Sequence, residues 1–175
     1  MDEAYRIEDP AIVEFSDIHL AVVRETVGFA EIPGLYDRAY PMLFSTLAAA
    51  GTAPAAAPMG VVHGGAGEAL DLSVAVPLAT GYVAGPGAPA EVTAETIPGG
   101  RAARLLVRGD YSGIAAGYER LHAWLAELGE TPDGLAWEQY LTEPEPGGDP
   151  AGNETLIAVR LRDPDGAAVS GAVPR

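Results

Sequence analysis

The 175-residue chain has no cysteine, which removes disulfides, thiolate nucleophiles and cysteine-bound zinc from consideration. It has no lysine either. Ten arginines stand against 25 aspartates and glutamates, for a formal net charge of −15. Such a field repels phosphate backbones and argues against unaided nucleic-acid binding. It favours a cationic ligand, although acidity is also a common route to solubility. The opening residues, Met1-Asp2-Glu3-Ala4-Tyr5-Arg6, lack the basic region and apolar run of a signal peptide. The uncharged stretch 39–67 is broken by Pro41, Pro54, Pro58 and several glycines, so it does not read as a membrane span. These absences predict a cytoplasmic protein with no membrane or nucleic-acid partner.

Other chemistries are missing too. His19, His63 and His122 fall on different elements without ligand spacing, so no metal site is expected. There is no Gly-x-Ser-x-Gly elbow. Gly65-Ala66-Gly67 reads as a hairpin turn and not a phosphate cradle, because no helix pattern follows it. No cofactor is expected.

What is present is ordinary for a globular protein: 48% apolar and 20% charged residues. The length suits one domain, or two small halves packed tightly, with room for a real core. Residues 1–15 read as an acidic lead-in, partly ordered through Tyr5, Ile7, Ile12 and Phe15. The β-branched run 18–27 predicts a first strand. Tyr36, Tyr40, Leu43 and Leu47 mark one face of a helix. Pro41 requires that helix either to begin near Asp37 or to kink. Residues 59–63 and 70–78 predict a hairpin. Residues 80–91 are rich in glycine and proline and read as a linker.

The second half restarts the same programme. Residues 92–97 and 101–108 are β-like. Asp110 or Ser112 can cap a helix running to about Leu128, with Ile114, Tyr118, Leu121, Leu125 and Leu128 on one face. Gly129 and Pro132 stop it. A strand over 135–142, an acidic loop over 143–154, a strand over 155–161 and a loose tail over 163–175 complete the chain. At an offset of 78, Tyr40 falls on Tyr118, Leu43 on Leu121, Leu47 on Leu125, Gly51 on Gly129 and Pro54 on Pro132. Each half then reads strand–helix–strand–strand, which points to a duplication.

One stretch organises the functional reading: Leu135-Ala136-Trp137-Glu138-Gln139-Tyr140-Leu141-Thr142. Alternation puts Glu138 and Tyr140 on one face and Trp137 on the other. No arginine lies between Arg120 and Arg160 to offer a local partner. If that face is wet, Glu138 is an ordinary surface acid. If it faces inward, Glu138 is a carboxylate whose desolvation must be compensated. At the same offset Gly60 takes the place of Glu138, and Val62 that of Tyr140. The acid in only one copy favours a site over a folding role.

The order of elements, Ile97-Pro98-Gly99-Gly100, the helix ending Leu128-Gly129, and the strand from Trp137 to Pro144 together resemble the GyrI-like small-molecule-binding family. That family includes the effector-binding halves of AraC- and MerR-type multidrug regulators. The resemblance covers about residues 16–162 and rests on the whole pattern, not on one motif. It implies an α+β fold: two strand–helix–strand–strand (SH2-like) repeats related by a pseudo-twofold, with antiparallel sheets and two main helices. The repeats would span about 16–80 and 92–162, with the ligand pocket between them. Glu138 matches the family's pocket glutamate and Tyr140 the pocket residue two positions on. Tyr36 and, less directly, Tyr111 match aromatic wall positions. Trp137 belongs to the motif, and His63 lies on the pocket-side hairpin.

Without a helix-turn-helix segment in the lead-in, the resemblance implies a stand-alone sensor or scavenger of hydrophobic, often cationic aromatic molecules. Met42 and Met59 would add adaptable surface if they line the site. Some stand-alone relatives instead hydrolyse cyclopropane-bearing natural products. On that alternative Glu138 is the general base and Tyr140 assists. Inhibition of a protein partner such as a topoisomerase is known for other relatives, but nothing in this sequence marks a partner surface.

Overall fold

The computed structural model describes residues 4–142 and 148–164. Part of the acidic loop and most of the carboxy-terminal tail therefore lie outside the described residues, as do Glu143 and Pro144 of the strand motif.

The fold is α+β, with nine antiparallel strands and two main helices among the described residues. Strand β3 (Ile18–Gly28) is followed by α1 (Ile32–Ala49), then the hairpin β4 (Met59–Ala66) and β5 (Ala69–Leu78). After residues 79–92, which form no helix or strand, come β6 (Thr93–Ile97) and β7 (Gly100–Gly109). Helix α2 (Gly113–Leu128), β8 (Pro132–Tyr140) and β9 (Glu154–Leu161) close the described chain. The sheet order from β7 to β3 is β7-β9-β8-β4-β5-β3, with β6 on the far edge beside β3. Read outward from the central β8–β4 pair, both halves place their strands in the same order, an arrangement compatible with duplication.

The lead-in differs from its expectation. Tyr5–Ile7 (β1) and Ala11–Phe15 (β2) both pair with β7, from Tyr5↔Gly109 to Phe15↔Gly100. Tyr5, Ile7 and Ile12 pack against the α2 cluster, while Phe15 packs on the opposite face of the sheet. Four apolar side chains within an acidic segment are enough to complete the edge that β7 would otherwise leave unpaired.

Alternation explains how one sheet serves two cores. On β3, Ala21 and Val23 bury against α1, whereas Leu20 and Val22 bury on the reverse face. A strand buried on both faces reads as a continuous apolar run, as 20–23 does. The reverse face gathers Met59, Val61, Ile97 and Trp137 into a cluster of its own. Helix α1 packs over β3 and β5, and α2 over β7 and β9. Both stand on the same face and leave the β4–β8 seam between them.

Local chemistry fixes the helices. Pro33 sits in the first turn of α1, and Pro41 lies inside the helix at an exposed position. The regular helix therefore begins earlier than Asp37 and runs through Pro41, which forgoes one backbone bond on the solvent side. Asp110 accepts from the Ser112 amide at 2.7 Å, and Gly129 closes α2 with φ 74°. Gly117 lets α2 approach closely, since a Cβ there would lie 2.8 Å from Ile157 Cδ1 and 2.9 Å from Val107 Cγ2.

Candidate functional site

The seam between α1 and α2 is floored by β4 and β8, paired Met59↔Gln139, Gly60↔Glu138 and Val61↔Trp137. Glu138 and Tyr140 rise from β8 on the helix side. The Tyr140 hydroxyl donates to Glu138 Oε2 at 2.7 Å. Tyr36 reaches across from the first turns of α1, its Oη 2.9 Å from Tyr140 Oη. Tyr140 has one proton and spends it on the carboxylate, so Tyr36 is the donor of that second bond. A relay Tyr36→Tyr140→Glu138 therefore spans the two halves.

Gly60 makes the relay possible. A Cβ there would lie 2.0 Å from Tyr36 Oη and 3.2 Å from Tyr140 Oη. Only the bare backbone of β4 leaves room for two hydroxyls above it.

Three more aromatics surround the relay. The Tyr111 ring stands 6.3 Å from that of Tyr140. Tyr40, one turn beyond Tyr36, donates to the Met59 carbonyl at 3.1 Å. The Tyr118 hydroxyl lowers the Glu138 pKa. It makes no hydrogen bond of normal geometry, however, and its oxygen is otherwise buried without a partner. Geometry decides here: Tyr118 is a polarising neighbour of Glu138, and Tyr140 is its bonded one.

Glu138 is half-buried. Among the described residues, no arginine or histidine forms an ion pair with it. Arg160, next in sequence, is engaged by Asp133 at 2.9 Å. Burial pushes the Glu138 carboxyl above its ordinary range, opposed by donation from Tyr140 and by the nearby Tyr118 hydroxyl. Burial also pushes Tyr36 up to about 12. Tyr140 and Tyr118 are raised as well, by burial first and by the Glu138 charge after it, and Tyr40 by burial and then by its neighbour Tyr36. The phenols are therefore neutral donors at physiological pH.

Of the residues expected at the site, Glu138, Tyr140, Tyr36 and Tyr111 are brought together. Trp137 and His63 are not. Trp137 points to the reverse face, 5% exposed, with its ring 5.4 Å from Phe15. The bulge in β8 falls between Pro132 and Ala136, so it does not turn Trp137 inward. His63 lies at the register irregularity of β4 between Val62 and Gly64, and its partners put it on the face of Met59 and Val61. Its Nε2 lies 2.7 Å from Glu95 Oε1 and 2.9 Å from Ser73 Oγ. Met59 belongs to the reverse-face core and Met42 packs in the α1 cluster.

Tyr40, Tyr118 and Gly60 were not singled out as site residues. Their signal was in the offset of 78, which equates Tyr40 with Tyr118 and Gly60 with Glu138. A cavity of about 370 Å³ lined by Ser45, Thr46, Tyr82 and residues 85–89 is a separate place. Its helix residues lie about 15 Å along α1 from Tyr36.

Such a fold, with one acid among neutral phenols at the seam of two similar halves, defines a domain built to receive a small molecule. The chain belongs to the family described as the GyrI-like small molecule binding domain, which matches residues 8–162. No curated protein matches it in sequence. Among solved structures, the EcmrR C-terminal domain superposes with a TM-score of 0.73 at 17% identity, covering 88% of this chain and 97% of that one. The chain spans 57% of EcmrR as seen in an EcmrR–DNA complex, with a TM-score of 0.71 and 18% identity over 90% of this chain. SAV2435 bound to tetraphenylphosphonium gives 0.63 at 13% identity, covering 89% and 94%. A hydrolase from Listeria innocua gives 0.61 at 11%, covering 87% and 91%. At these identities the likeness is one of fold.

Proposed function

We propose that the protein binds hydrophobic aromatic cations at the α1–α2 seam. The observation that carries this reading is Glu138, a half-buried carboxylate with no internal cation and a surround of phenol rings. Its desolvation cost is already incurred in the fold, so an arriving charge gains most of the attraction. Each ring face adds about 0.5–2 kcal/mol toward a cation, more as water is excluded. Delocalised cations suit this better than compact ammonium ions, which are strongly hydrated. The tetraphenylphosphonium complex of SAV2435 supports the same ligand class. The test is a fluorescence titration with cationic dyes against the parent and Glu138→Gln. A loss of at least tenfold, about 1.4 kcal/mol, is expected. Unchanged affinity would refute the reading.

A second reading is supported by the Tyr140–Glu138 bond and by the hydrolase among the structural neighbours. Glu138 would take the proton of an attacking water as a C–O bond forms and a strained cyclopropane C–C bond breaks. Once Glu138 holds that proton, the Tyr140 hydroxyl would turn from it to the substrate oxygen that receives the charge. Product formed by the parent and abolished in Glu138→Gln would establish it.

A further inference from the structure

The rings around Glu138 do not stop at the pocket. Tyr111 lies 6.3 Å from Tyr140, Tyr140 5.9 Å from Tyr36, Tyr36 5.5 Å from Tyr40, and Tyr40 6.0 Å from Phe44. Each separation is within the range of aromatic contact. The five rings form one continuous arc. Its middle is half-buried and bonded to the carboxylate, and its ends are open: Tyr111 is 39% exposed and Phe44 41%.

Phe44 is not needed to build the core. Leu43, Thr46 and Leu47 carry the buried face at that level of α1, and a lone exposed phenylalanine would deserve no comment. Its placement differs from a lone residue in one respect. Spacings of four along α1 stack Tyr36, Tyr40 and Phe44 in a row, and the Phe44 ring lies at 28° to that of Tyr40. The row advances about 12 Å along the helix from Tyr36. It points away from Glu138 toward solvent.

We propose that Phe44 is a specificity-determining residue of the seam, selecting elongated aromatic cations over compact ones. This rests on the binding reading above. The cationic centre sits at Glu138, and a fused-ring arm extends along α1 over Tyr40 to Phe44. A one-ring cation meets Glu138 and the inner tyrosines and never reaches Phe44.

The experiment is calorimetric titration of the full chain with two probes, rhodamine 6G and benzyltrimethylammonium. Parent, Phe44→Ala, Phe44→Leu and Glu138→Gln are compared. Both Phe44 variants should weaken rhodamine 6G about fivefold or more, Leu included because it lacks a ring face. Benzyltrimethylammonium should stay within about twofold of the parent. Glu138→Gln should weaken both. Equal loss of both probes in Phe44→Ala, or no loss of rhodamine 6G, overturns the proposal while leaving cation binding intact. If Glu138→Gln leaves both probes unchanged, the cation reading falls and Phe44 selectivity, if present, stands on apolar stacking alone. If neither probe binds the parent, both readings fail.

Discussion

Gly60 and Glu138 face each other directly across the β4–β8 pair, and they are also the two positions that the offset of 78 equates. That placement is compatible with a duplication whose axis would pass through the β4–β8 pair. The acid sits on the line where the halves meet, opposite the residue whose missing side chain makes room for the Tyr36–Tyr140 contact.

That geometry predicts a specific non-additivity. Gly60→Ala puts a methyl 2.0 Å from Tyr36 Oη but 3.2 Å from Tyr36 Cζ. It should destabilise the fold by about 1–3 kcal/mol as overpacking. In Gly60→Ala/Tyr36→Phe the clashing oxygen is gone, so the pair should cost less than the two single changes added together. Urea denaturation measures this, and strictly additive losses would show that Gly60 does not accommodate the hydroxyl.

The pH dependence of stability follows from the raised Glu138 pKa. A carboxyl whose folded pKa lies above its unfolded value favours the folded state fully below the unfolded value, near 4.3. That contribution is lost as pH rises through the folded pKa. Glu138→Gln should therefore gain on the parent as pH goes from about 4 to 7.5, with the melting points diverging in the variant's favour. Divergence in the opposite sense would place the pKa shift on the wrong side.

Ligand affinity should titrate with the same group. A cationic dye should bind progressively worse as pH falls through the raised Glu138 pKa, because the carboxyl loses its charge. A neutral aromatic of similar shape should show no such dependence, and Glu138→Gln should abolish it. A dye affinity flat from pH 4 to 8 in the parent would exclude Glu138 as the counter-charge.

Tyr140→Phe and Tyr36→Phe should separate along the relay. Tyr140 donates to the carboxylate itself, a bond to a charged group worth about 1.5–3 kcal/mol. Its loss should move the midpoint of the dye–pH profile upward. Tyr36 acts on Glu138 through Tyr140, so Tyr36→Phe should move that midpoint in the same direction and by less. Equal shifts would mean that the relay is not ordered as the geometry places it.

Trp137→Ala tests the reverse face. A buried tryptophan cut to alanine costs about 3–5 kcal/mol, and a urea melt should register that loss. Dye affinity of the folded protein should stay within about twofold of the parent. A tenfold affinity loss without destabilisation would put Trp137 in the site after all.

The site was legible to the extent that alternation governed it. Glu138 and Tyr140 share a face because they are two apart on a strand, and Trp137 is excluded for the same reason. His63 was misplaced because proximity to the expected pocket hairpin was weighed and its face was not. Met59 and Val61, four and two residues before it, bury on the reverse side. Tyr118 shows in the sequence only as one residue of a helix face, because helix periodicity reports which residues turn inward, not what they meet there. The two amino-terminal strands were hidden by composition: five acidic residues interrupt 1–15, and short apolar runs are a weak strand signal until β7 is present to pair with them.

The helices grip the outer strands, and the halves meet at the site through the β4–β8 ladder and one phenol-to-phenol contact. A guest that enters between the Tyr36 and Tyr140 oxygens must break that contact, while the β4–β8 ladder and the reverse-face core keep the halves joined.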